Sequence, residues 1–139
     1  RLGTAVRERE GFAYYAASRY STGKAQAPWS AITGVNPKNA EEAIRLIVRE
    51  IERITSEPVS EAELADNKAN FTGRLPLALE SNEGVAGTIH SMEIYDLGLD
   101  YLYRYRDLIQ AITSEAVLNA ARRYLNPHAY ALGIAGPGL

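Results

Sequence analysis

Apolar positions along this chain change period several times, and each change predicts an element. Leu2, Ala5 and Val6 recur at helical spacing with charges gathering after them, and Gly11 stands where such a helix would stop. Over residues 12–19 aromatic and small residues alternate, which predicts a strand; residues 29–35, from Trp29 to Val35, predict a second. A polar loop with Gly23 and Pro28 separates them, so an antiparallel hairpin is the simplest pairing. Strict alternation would turn Phe12, Tyr14 and Ala16 to one face and Ala13, Tyr15 and Ala17 to the other.

After Asn36-Pro37 the period becomes helical. Ala40, Ala43, Ile44, Ile47, Val48, Ile51 and Ile54 form a stripe, and Glu41, Glu42, Arg45, Arg49, Glu52 and Arg53 fall opposite as a solvated face. Ser60 with Glu63 reads as a capping box opening a helix toward Leu75, where Pro76 is expected to break or kink it. Ser81 opens another through Tyr95, closed by Leu97-Gly98-Leu99. Asp100 is placed to cap a helix to about Ala111, and Thr113 or Ser114 one ending near Leu125. Residues 130–135 read as a closing strand. Strands at both ends with helices between predict an α+β fold, a small antiparallel sheet covered by helices on one face, as a single domain over residues 1–139.

A chain of 139 residues can bury its own core. With 15 Lys+Arg against 17 Asp+Glu and no block of one sign, nothing points to nucleic acid or an acidic membrane surface. No apolar run is long enough to insert into a membrane. Cysteine is absent, which removes disulfides, thiolate nucleophiles and cysteine metal sites. Arg1-Leu2-Gly3 reads as helix interior without a cap, so the first part of the fold is expected to precede it.

Chemistry is sparse. His90-Ser91-Met92-Glu93-Ile94 follows the inverted zinc motif HxxEH until its last place, where Ile94 replaces the second ligand, and a histidine with a glutamate cannot hold zinc alone. Gly84-Val85-Ala86-Gly87 lacks the lysine and hydroxyl of a phosphate loop. The candidates are Arg7, on the last helical turn, and Tyr14, on the strand that follows. A guanidinium and a phenol at one edge could both donate to a developing oxyanion. The structural alternative is that Arg7 complements a helix terminus and Tyr14 is an ordinary strand residue.

The stretches Arg1-Leu2-Gly3-Thr4-Ala5-Val6-Arg7-Glu8, Gly11-Phe12-Ala13-Tyr14, Gly34-Val35-Asn36-Pro37, Pro58-Val59-Ser60-Glu61-Ala62-Glu63-Leu64, Leu79-Glu80-Ser81-Asn82-Glu83-Gly84 and Tyr124-Leu125-Asn126-Pro127 resemble, in order, the C-terminal domain of pitrilysin-type metallopeptidases. That group includes insulysin and mitochondrial processing peptidase, and the likeness is to its bacterial, short-chain branch. The resemblance implies the zinc-free half of a clamshell peptidase, whose zinc sits on HxxEH in another domain or chain and whose substrate is an extended peptide. It implies catalytic support from Arg7 and Tyr14, no cofactor in this chain, and no activity from it alone. Bacterial cytoplasm and periplasm both remain open, as does a non-catalytic scaffolding or peptide-binding role.

Overall fold

The computed structural model describes residues 1–3, 13–21, 23, 25 and 27–136. In chain order the elements are strands β1 (Ala13–Tyr20) and β2 (Trp29–Val35), a 3-10 turn (Pro37–Asn39), and helices α1 (Ala40–Ser56), α2 (Glu61–Ala78), α3 (Asn82–Ile94), α4 (Tyr101–Gln110) and α5 (Ser114–Tyr124). The α+β class expected from the sequence is the one observed. Two compact units divide the chain, Arg1–Glu57 with Ala120–Leu139, and Pro58–Asn119.

The first unit is built on the β1–β2 hairpin, which is antiparallel. One face of it is covered by α1, where Ala43 and Leu46 are buried against Ala13, Ala16, Val35 and Ile47. Leu46 was not among the stripe positions read from the sequence, yet it and Ala43 form the centre of the contact. The other flank of the same stripe, Ile44, Val48 and Ile51, lines an apolar groove instead. On the polar side Arg45 bonds Glu41 and Glu42, while Arg53 pairs with Glu50, whose side chain is nearly covered. The carbonyls at the end of α1 are met by Arg122, whose Nε donates to Thr55 at 3.0 Å and Nη2 to Ser56 at 3.4 Å. A cation at a helix C-terminus answers both the orphan carbonyls and the dipole.

The closing strand expected over residues 130–135 does not form; the segment has no regular structure. Tyr130, Leu132 and Ile134 do alternate, but alternation specifies only a face. A strand also needs a ladder partner, and among the described residues the sheet has two strands, β1 and β2.

In the second unit local signals act as read. Ser60 accepts from the Glu63 amide at 3.2 Å, Ser81 from Gly84 at 3.0 Å and Thr113 from Ala116 at 3.1 Å. Gly84 is required by proximity, since a β-carbon there would overlap the Ala78 carbonyl. Two expectations are corrected, a helix end at Pro76 and a cap by Asp100. Pro76 does not end α2, which runs to Ala78; so near the C-terminus proline forfeits one amide, and Leu79 recloses the turn on Leu75 and Pro76. Asp100 stands at the N-cap of α4 without capping it. Its carboxylate is held instead by Arg104, Nε to Oδ2 at 2.6 Å, and the same guanidinium reaches the Leu97 carbonyl at 2.9 Å. That ties the turn at Gly98, whose φ of 84° is left-handed, to the first turn of α4.

Candidate functional site

Tyr14 enters β1 one residue after its start, and the register there is irregular. Ala13 lies opposite Val35 and Tyr15 opposite Gly34, so Tyr14 is an extra residue, a β-bulge. Beyond it the ladder is regular, with Ala16 opposite Thr33 and Ala17 opposite Ile32.

The bulge corrects the expected alternation. Ala13 and Ala16 are three residues apart, which strict alternation would send to opposite faces, yet both pack on the Ala43–Leu46 core. The extra residue resets the phase. Tyr14 and Tyr15 therefore both turn away from the core, and they are 82% and 54% exposed. The expectation that only one of them faces outward does not hold.

Three groups fix this geometry. The Tyr15 ring lies over Gly34 so closely that a β-carbon there would overlap the ring edge. Gly34 is needed for that approach, because the positive φ angles among the described residues are at Asp96 and Gly98. Next to it the Thr33 hydroxyl donates to the Tyr15 carbonyl at 2.8 Å, securing the residue that follows the extra one. Thr33 did not stand out in the sequence, and Gly34 did so only as part of the Gly34-Val35-Asn36-Pro37 likeness, with no role attached. Gly34 becomes meaningful only with the cross-strand register known, and the long loop hides that register.

Arg7, Gly11 and Phe12 lie outside the described residues, so Tyr14 is the part of the expected pair whose placement is described. The side-chain bond from Arg104 holds Asp100 below the ordinary carboxylate value, and burial raises Tyr105, with nearby Tyr101 adding to the effect.

The near-match to a zinc motif falls on α3. Met92 is buried there, which leaves His90 and Glu93 exposed on the helix surface. Among the described residues no three His, Asp or Glu side chains are grouped to hold a metal ion. A zinc site needs three or four protein ligands, so metal analysis of the purified chain is expected to find no stoichiometric zinc. About one tightly held zinc per chain, released by His90→Ala, would overturn that ligand argument.

Two concavities lie among the described residues. One of about 530 Å³ is chiefly apolar, bordered by Trp29, Ile44, Val48, Ile51, Tyr124 and Leu132. The other, about 610 Å³ between α2 and α4, contains Lys68 and Arg106. There Lys68 Nζ is already committed to the Gln110 carbonyl at 2.8 Å, capping α4. No helix among the described residues is long and apolar enough to cross a membrane.

The fold is shared with proteins of known structure. A peptidase M16 inactive domain from Pseudomonas fluorescens is similar at a TM-score of 0.80 and 25% identity, over 91% of this chain and 30% of that one. A protease from Helicobacter pylori matches at 0.77 and 23%, over 88% of this chain and 30% of that one. The periplasmic protease PqqL from Escherichia coli matches at 0.65 and 24%, over 89% of this chain and 14% of that one. This chain thus spans less than a third of each. Comparison with curated proteins returned no match. The family model described as the peptidase M16 inactive domain matches residues 1–71. The chain belongs to the peptidase M16 inactive-domain family.

Proposed function

We propose that this chain serves as the zinc-free half of a clamshell zinc endopeptidase, closing with an HxxEH-bearing domain or chain around an extended peptide. The observation that supports the reading is Tyr14, a phenol 82% exposed at a bulge in β1, the residue to which the resemblance to pitrilysin-type peptidases would assign an oxyanion donor. An exposed aromatic side chain at an irregularity of the ladder contributes little to a core, so its position calls for a partner or substrate.

In this reading the HxxEH residues of the partner would hold zinc, which would supply Lewis acidity toward the scissile carbonyl and the attacking water. Tyr14 donates its hydroxyl proton as a hydrogen bond to the carbonyl oxygen as that oxygen gains charge, which favours the transition state over the bound peptide. Arg7 holds a backbone carbonyl of the substrate, a task suited to a group that is always charged and rich in donors. Neither residue gives up a proton. Family membership supports a supporting role, because the domain it describes is the inactive one.

The experiment is co-expression of the full-length protein with a candidate HxxEH chain, assayed on a quenched fluorogenic peptide. Cleavage that requires both chains is the expected result. Cleavage by this chain alone would overturn the division of labour, and none with any such partner would favour scaffolding. A peptide-binding module is the second reading. It draws on the sheet, since among the described residues β1 and β2 pair only with each other, and the opposite edge of each could take an added strand. Peptide capture that persists without the partner would favour it.

A further inference from the structure

Among the described residues, nothing in the hairpin's packing requires Tyr14. Ala13 and Ala16 meet α1, and their partners Val35 and Thr33 are two residues apart on β2, in regular alternation. If Tyr14 were removed, Ala13, Tyr15 and Ala16 would follow one another with Ala13 and Ala16 still inward and Tyr15 still outward. Removing a residue from within the regular stretch 16–20 would instead invert every position on one side of the gap. Tyr14 is thus a one-residue insertion that the core tolerates without using. The groups that hold it, Gly34 under the Tyr15 ring and Thr33 on the Tyr15 carbonyl, act on the residue after the insertion.

We infer that the bulge is a positioning device for the site: Gly34 seats the Tyr15 ring, and the seated ring fixes the direction in which Tyr14 leaves the sheet. Gly34 and Tyr15 are positioning residues for Tyr14. This rests on the peptidase reading for its consequence in catalysis, but the geometry has a test of its own. Tyr15 acts through its ring on Gly34, so its hydroxyl is dispensable. The device works by close contact, which explains why glycine stands at 34 without an unusual φ.

The first measurement is of geometry. Single cysteines at 13, 14, 15 and 16 in the full-length protein are titrated with a thiol reagent. Fast labelling at 14 and 15 with protection at 13 and 16 is expected. Labelling at 14 and 16 with protection at 13 and 15 would mean an unbulged strand and would overturn the inference. Deleting Tyr14 is expected to leave the melting temperature within about 5 °C of the parent. A collapse of folding on that deletion would show the bulge to be structural.

The second measurement is turnover with the zinc-bearing partner. Gly34→Ala displaces the ring, and a misplaced donor is expected to cost roughly tenfold to a hundredfold in kcat with KM little changed. Tyr15→Ala removes the ring and is expected to lose turnover to a similar degree as Gly34→Ala. In a Tyr14→Phe background Gly34→Ala should add almost nothing, because both act through one hydroxyl. Full activity of Gly34→Ala where Tyr14→Phe is impaired would sink the positioning role and spare the peptidase reading. Full activity of Tyr14→Phe would sink the peptidase role of Tyr14, while the cysteine titration would still decide the geometry.

Discussion

Tyr14→Phe in the two-chain peptidase is expected to lower kcat roughly a hundredfold or more while KM and folding stay nearly unchanged. The size follows from what oxyanion donors contribute when they bind charge that exists only in the transition state. The substitution removes one oxygen from a side chain that is 82% exposed, so packing gives no rival explanation for lost turnover. Arg7→Ala is expected to differ in kind. If it holds the peptide backbone before and during reaction, KM rises as well. Tyr15 is a poor control because it shares the outward face. Tyr103, 87% exposed on α4, is a better one, and Tyr103→Phe should leave both constants alone. Equal losses from Tyr14→Phe and Tyr103→Phe would mean the assay reports stability, and no loss from Tyr14→Phe would remove the oxyanion role.

Leu46→Ala is expected to destabilise the chain by about 2–5 kcal/mol. Leu46 is 8% exposed at the contact between α1 and the hairpin, beside Ala43 at 1%. Ala43 has nothing to spare on truncation, so Leu46 supplies most of the apolar volume there, and its loss leaves a cavity walled by Ala13, Ala16, Val35 and Ile47. Chemical denaturation measures it directly, and Ile44→Ala, on the flank lining the apolar groove, should cost clearly less. If Ile44 proved the costlier of the two, the hairpin core would be centred on the wrong flank of α1.

These two expectations differ in how far the chain's own letters lead to them. The caps at Ser60, Ser81 and Thr113 were legible because each is a bond between a side chain and an amide three residues on. The turn at Gly98 was legible because a left-handed backbone selects glycine. Asp100 shows where local reading stops: an Asp before a helix satisfies the capping pattern, but Arg104 one turn on competes for the same carboxylate and takes it.

By itself, then, the sequence determined the α+β class, the helices with most of their caps, the β1–β2 hairpin and the family likeness, all properties carried by short-range periodicity or by the order of motifs. Tertiary structure alone decided which flank of α1 is buried, that residues 130–135 gain no ladder partner, and that Tyr14 is an insertion with Tyr15 beside it. Each of these depends on a partner distant in the chain. A one-residue bulge is invisible without the opposing strand, because the sequence holds the same residues whether or not one of them is skipped in pairing, and the phase of every side chain before it turns on that choice.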